Sequence, residues 1–218
     1  MSEATADAPT KTTDGAFLRS RLGSLLAVFP LGVWTVGHLW NNLAAFKGGV
    51  AWQSAVTEYA HPLAHLVTMI VVLLPLVLHM IWGISRMAQA RPNLHKHASY
   101  NNLKYVVQRL SAIGLMLFLG AHIWLAMLHP RFVEGHPEPF ADIAGQMRHH
   151  GPTLAVYVLG TLGVAFHLAN GLHTFAMGWG VVASRRALRK LDAGVIGLFL
   201  ALLGMGWAVI YALWSAGA

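Results

Sequence analysis

The chain has 218 residues, of which 56% are hydrophobic and only 11% charged, with a formal net charge of +7 and no cysteine. Soluble domains carry about 25% charged residues, so this composition excludes a water-solvated globular enzyme. The lack of thiols also excludes disulfides, thiolate-held iron–sulfur clusters and a cysteine nucleophile from this chain.

Residues 1–20 are polar and lack the apolar centre of a signal peptide, which predicts a disordered tail ahead of a retained first helix. The rest, 21–218, reads as one transmembrane domain. Residues 22–46, 59–85, 110–130, 149–184 and 193–218 contain no Asp, Glu, Lys or Arg. About 20 apolar residues suffice to cross a bilayer core about 30 Å thick. Five spanning helices are therefore predicted, at 24–45, 63–85, 110–129, 153–180 and 193–214. The fold class is an all-α membrane protein. The longest connection, Pro130–Pro152, is expected to be loop or partly helical.

Charge fixes the expected orientation. Lys11, Arg19 and Arg21 precede the first helix; Arg86, Arg91, Lys96, Lys104 and Arg109 follow the second; Arg185, Arg186, Arg189 and Lys190 precede the fifth. Twelve of the 15 basic residues thus share one side, and the acids Glu58, Glu134, Glu138 and Asp142 lie on the other. The positive-inside rule puts the N-terminus in the cytoplasm and the C-terminus outside. A pI of about 10.2 then reflects contact with cytoplasmic lipid head groups or a docked partner, and no nucleic acid is implied. Trp52, Trp82, Trp179 and Trp214 fall near the predicted membrane edges, where belt roles are expected.

Of the 13 histidines, four lie deep in four different helices: His38, His79, His122 and His167. An ionisable side chain in hydrocarbon is costly, so its presence points to function. At a rise of 1.5 Å per residue, His38 sits about 21 Å along the outward-running first helix, and His122 is also in the outer half. His79 and His167, on inward-running helices, lie about 24 and 21 Å from the outer edge, in the inner half. Two stacked sites follow: His38 with His122, and His79 with His167. Two imidazoles from facing helices suit haem b held in a bundle core. Zinc wants three or four protein ligands, and a proton relay would include carboxylates that these spans lack. The expected core is a haem-binding four-helix bundle with the fifth helix beside it. Pro75, four residues before His79, is expected to open the carbonyl ladder near Val71 and bend helix two.

The blocks RSRLGSLLAVFPLGVWTVGHLWNN around His38 and LPLVLHMIWGI around His79 resemble the dihaem cytochrome b subunit of succinate:quinone reductases and fumarate reductases. So do VVQRLSAIGLMLFLGAHIW around His122 and VAFHLANGLHTFAMGWGV around His167. The resemblance is to the type with a single large five-helix anchor. It implies iron ligation by His38 and His122 in an outer haem, and by His79 and His167 in an inner one. It implies a flavoprotein subunit, carrying FAD and the succinate/fumarate chemistry, and an iron–sulfur subunit, both on the cytoplasmic side of a bacterial inner membrane. The chain would pass electrons between the iron–sulfur subunit and menaquinone near the outer haem. Glu58 occupies a position like that of an acid used for quinol proton transfer in some relatives. Ala165 stands where others carry a glutamate for transmembrane proton compensation, which removes that route here. Ser24, Gln108, Arg109 and His173 lie near the inner haem as candidate propionate contacts. Turnover between faces would make succinate oxidation responsive to membrane potential, about 2.3 kcal/mol per electron per 100 mV. The competing readings are a dihaem anchor for a hydrogenase or formate dehydrogenase, and a haem-free transporter.

Overall fold

The computed structural model describes residues 14–58, 63–89 and 100–218, and every regular element among them is helical. Five helices are long and apolar enough to cross a membrane: Arg21–Lys47, Leu66–Ala88, Asn102–Glu134, Gly151–Gly178 and Arg185–Ala216, hereafter helices one to five. Each contains the centre of a predicted span, and the ends differ because polar turns continue the helix beyond the apolar stretch. Winding already begins at Asp14, so residues 14–20 of the expected tail are helical. Residues 1–13, including Lys11, and His61, Arg91, His95, Lys96 and His97 lie outside the described residues.

Size decides which side chains meet. Large apolar groups such as Leu117, Leu159 and Ile196 are exposed, as a lipid-facing surface requires, whereas Ala165 and Ala169 of helix four are buried between helices. Lipid tails are as apolar as leucine, so close approach of small residues drives association. Gly160 shows this directly. A Cβ there would overlap the Phe118 ring, so helices three and four touch at a point where only glycine fits. Helix four also packs on helices one and five, and helix two packs on helix one.

Prolines write widened turns into the first three helices. Proline lacks an N–H and its ring collides with the carbonyl four residues back, and a π turn relieves both conflicts. Such turns cover Ala27–Gly32, which contains Pro30, Met69–Leu73 just before Pro75, and Trp124–Leu128 just before Pro130. The opening anticipated near Val71 therefore takes this form.

The densest packing lies at one end of the bundle. There the short helices Gly49–Val56 and Phe140–His149 fold back over the ends of helices one and five. Ala45, Trp52, Ile143, Met147, Val209, Ile210 and Leu213 form the buried cluster. We call this the capped end and the opposite one the open end. The Pro130–Pro152 connection is thus largely helical: helix three runs on to Glu134, stops at Gly135 with φ of +80°, and the second short helix follows. His150 then caps helix four by accepting from the Thr153 amide. Trp52 is not a belt residue. It is buried in the cap at 4% exposure and donates its indole N–H to Asn42 Oδ1 at 3.0 Å.

If Gly160 sets the approach of helices three and four, Gly160→Val should lower stability by about 1–3 kcal/mol through overpacking. Gly163→Ala, where an added Cβ meets Leu115 at an ordinary 3.8 Å, should be near neutral. Thermal denaturation in detergent compares the two.

Candidate functional site

The four deep histidines meet in two pairs. His38 and His122 have ring centres 6.0 Å apart with planes at 71°, and His79 and His167 have centres 6.3 Å apart at 75°. The first pair lies toward the capped end and the second toward the open end. Among the described residues no group of three or more His, Cys, Asp or Glu side chains gathers as a polydentate metal site would need. The donor set is two imidazoles per level.

Each ring is held by a partner from another turn or helix. His79 Nδ1 lies 2.9 Å from the Gly23 carbonyl of the first helix. A carbonyl can only accept, so Nδ1 carries the hydrogen and Nε2 is left with a bare lone pair. Gly23 has no room for a Cβ, because Trp82 of helix two lies against it. That contact brings the carbonyl within reach of His79.

His167 Nδ1 faces two groups of helix three, Ser111 Oγ and Gln108 Nε2, each at 3.2 Å. Ser111 donates its hydroxyl hydrogen to the Gln108 carbonyl at 2.8 Å, so its oxygen remains able to accept. Gln108 also donates to the His167 carbonyl at 3.1 Å and accepts from Asn170 at 2.9 Å. In this structure its amide therefore belongs to His167.

His122 Nδ1 lies 3.1 Å from the Tyr157 hydroxyl, and Phe118 stacks on the imidazole with ring centres 5.5 Å apart. His38 stacks on Trp34 at 4.5 Å. Asn42 Nδ2 donates to the His38 carbonyl at 2.8 Å and approaches His38 Nε2 at 3.4 Å. Trp52 fixes that amide by donating to its oxygen, so the cap reaches His38, while Tyr157, packed against the buried cluster of the cap, reaches His122.

The remaining candidates are spread over both ends. Ser24 donates to the Arg21 carbonyl at 2.7 Å and accepts from the Trp179 indole at 3.2 Å. Arg109 lies over the Tyr105 ring at 4.3 Å and donates to the Met87 carbonyl at 3.4 Å. His173 Nε2 pairs with Asp192 at 3.1 Å, and Lys104 reaches the same carboxylate at 3.8 Å. Glu58 is exposed at the end of the first short helix, with its backbone N–H bonded to the Gln53 carbonyl. Close by, a cavity of about 190 Å³ is lined by Trp34, Gly37, His38, Asn41, Val56 and Thr68.

Sequence reasoning did not find Gly23, Ser111, Asn170, Tyr157 or the Asn42–Trp52 pair. For the side chains among them the signal was a polar residue within an apolar helix, which cannot say which helix it faces; Gly23 acts through its backbone carbonyl and gives no such signal. Glu138 was read merely as an acid of a connection. It is buried at 6% exposure, just ahead of the second short helix. Burial first, then repulsion from Asp142 and Glu134, pushes its carboxyl up from 4.5 to about 7, with His136 acting in the opposite sense.

The family model for the "Succinate dehydrogenase/Fumarate reductase transmembrane subunit" matches residues 90–206. That span contains His122 and His167. The chain is also 29% identical over 201 residues to the succinate dehydrogenase cytochrome b558 subunit of Bacillus subtilis (strain 168), an alignment covering 90% of this chain and 96% of that protein.

The raised pKa of Glu138 has a signed consequence for stability. The folded chain keeps a proton that the unfolded chain has already released, so stability declines as pH rises from 4.5 through about 7. Glu138→Gln should raise the melting temperature at pH 8, and the gain should vanish toward pH 4. Melting curves across that range test it.

Proposed function

The chain belongs to the family of succinate dehydrogenase/fumarate reductase transmembrane subunits, and from that premise we propose that it carries electrons between a cytoplasmic iron–sulfur subunit and a membrane quinone through two b haems. The observation that carries this reading is the pair of histidine pairs, 6.0 and 6.3 Å between ring centres, at two levels of one bundle. A metal–imidazole bond is about 2 Å, so two imidazoles that would hold one iron between them would have ring centres roughly 6 Å apart. A donor set of two fits haem, whose macrocycle supplies the other ligands. The cytochrome b in the name of the Bacillus relative is in keeping with it. Family membership also favours this anchor over that of a hydrogenase or formate dehydrogenase.

Bound at these levels, the two haems would supply one-electron transfer from one membrane face toward the other. The chain's own residues hold and orient. His79 presents Nε2 because Gly23 takes its Nδ1–H. His167 does so when Ser111 Oγ accepts Nδ1–H, with the Gln108 amide kept on the His167 backbone carbonyl. His122 uses Tyr157 in the same way. His38 is the loosest, since its Nε2 has only the long contact to Asn42 to give up. Such outer partners fix ring orientation and raise ligand basicity.

By the positive-inside rule, the open end with its arginines faces the cytoplasm and the inner membrane is crossed five times. The flavoprotein and iron–sulfur subunits dock there. Ser24, Arg109, Gln108 and His173 remain the proposed neighbours of the inner propionates. Gln108 and His173 would have to release His167 and Asp192 to reach them. The cavity beside His38 is the proposed menaquinone site, with Asn41 and Thr68 as its polar lining. Glu58, exposed two residues beyond Val56, is proposed to pass quinol protons to the outer water.

Two b haems per chain, titrating at separate potentials, are expected from a reduced-minus-oxidised spectrum with a pyridine haemochrome count. His38→Ala or His122→Ala should each remove one haem, and His79→Ala or His167→Ala the other. One haem or none in the parent would overturn the reading. Succinate-dependent menaquinone reduction in sealed vesicles should slow on adding an uncoupler; indifference would reject transfer across the membrane.

A further inference from the structure

Cations at the open end are of two kinds. Arg21 lies over the Phe17 ring at 5.5 Å, Arg86 over Trp82 at 5.8 Å, and Arg109 over Tyr105. Lys104 reaches the Asp192 carboxylate. Arg185, Arg186, Arg189 and Lys190 differ from these. All four are exposed, and none of their side chains has a hydrogen bond, ion pair or ring contact among the described residues. They occupy the first two turns of helix five.

That placement is unfavourable for the helix by itself. Arg185 with Arg189, and Arg186 with Lys190, are like charges four residues apart, which repel across one turn. Arg185 and Arg186 also sit at a helix N-terminus, where the backbone dipole is already positive. Ser184 caps that start by accepting from the Ala187 amide, so the helix end does not require them. Four charges of one sign without an internal partner are satisfied by an external anion.

Their direction says which anion. Helix five turns Leu202, Gly206, Val209 and Leu213 inward, where they are buried. The opposite side is a lipid-facing stripe through Ile196, Leu200, Trp207 and Tyr211, all exposed. Arg189 lies 18 residues before Trp207, about five full turns, so the two share one azimuth. At about 100° per residue, Arg185, Arg186 and Lys190 all fall within about 80° of Leu200. The cations therefore continue the lipid stripe along the flank of the bundle, away from the helices that pack on helix five.

Depth agrees with direction. The uncharged run of helix five begins at Ala193. At 1.5 Å per residue, Arg189 is about 6 Å and Arg185 about 12 Å beyond it, against a head-group layer about 5–7 Å thick. Long cationic side chains reach back toward such a layer. On the apolar side, a Cβ added to Gly194, Gly197 or Gly204 would meet nothing within 4 Å, so no side chain there obstructs an acyl chain beside Ile196 and Leu200.

We propose that Arg185, Arg186, Arg189 and Lys190 form a binding site for an anionic glycerophospholipid, with its phosphate on the cations and its acyl chains along the stripe at Ile196 and Leu200. Guanidinium groups hold phosphate oxygens through paired N–H donors, and Lys190 adds a point charge. A soluble anion would gain nothing from the stripe, and a protein partner would have to bring its acids to the flank, at the level of the lipid head groups. The site depends on the membrane crossing alone and not on haem.

The test strips the purified complex into neutral detergent and follows its melting temperature as dioleoylphosphatidylglycerol, dioleoylphosphatidylcholine or inorganic phosphate is added. Lipid retained per chain is counted by mass spectrometry on the same samples. The phosphatidylglycerol should raise the melting temperature at about tenfold lower concentration than the phosphatidylcholine, with about one molecule retained per chain. Inorganic phosphate should do neither. In about 1 M salt the preference should shrink, because the screening length falls to about 3 Å. Replacing Arg185, Arg186 and Arg189 together by Gln should abolish the preference, and replacing them by Lys should keep most of it. Lys47→Gln, at the capped end, should leave it unchanged. Equal responses to the two lipids, a phosphate response matching that of phosphatidylglycerol, or a Gln variant that keeps the preference would each overturn the proposal. A Gln variant that sheds its accompanying subunits while its lipid preference stays intact would assign the cations to protein docking and overturn it too. If the triple variant does not accumulate, Arg189→Gln alone decides, since it should lower the preference severalfold and an unchanged preference would reject the site.

Discussion

An imidazole in hydrocarbon must have a partner, and that requirement organises this bundle. Each deep histidine is met by a polar group from another turn or helix: the Gly23 carbonyl, Ser111 with Gln108, the Tyr157 hydroxyl, or Asn42. These contacts tie helix two to one, helix three to four, and the cap to both histidines of the capped-end pair. Burial of apolar surface cannot do the same work in lipid, where leucine gains nothing by leaving the surface. The helices are therefore located by small residues at their contacts and by polar bonds at the histidines.

The two levels are built differently. The pair toward the open end is held entirely by residues of the spanning helices and by one backbone carbonyl. The pair toward the capped end depends on structure outside the spans, since Trp52 orients Asn42 and the cluster under the second short helix supports Tyr157. A disturbance of the cap should therefore reach one level and spare the other. The quinone is proposed to bind at that same level, where the 190 Å³ cavity opens beside His38.

The sequence was most informative where physics acts on whole segments. Uncharged stretches marked five crossings, and counting residues along them brought His38 level with His122 and His79 level with His167. The cap was illegible because the second short helix, seen as PFADIAGQMRHH, is mixed in character and flanked by prolines and glycine. Trp52 looked like a belt residue because its position near an edge says nothing of the Asn42 amide waiting for it. Gly23, Ser111 and Tyr157 act on histidines 35 to 56 residues away, a pairing that no local pattern encodes. Gln108 was expected beside the propionates of an inner haem, and the structure puts its amide on His167.

Helix one serves both levels, with the Gly23 carbonyl below its π turn and His38 above. Each residue of an α-helix turns the chain by about 100°. The extra residue held in Ala27–Gly32 therefore sets the angular phase between the two levels, as a key is cut to two tumblers. Removing one residue there would restore an ordinary helix and leave its hydropathy untouched. It would also rotate His38 away from His122 while Gly23 stayed on His79. In this fold the frame between two sites on one helix is stored in a miscount of its turns.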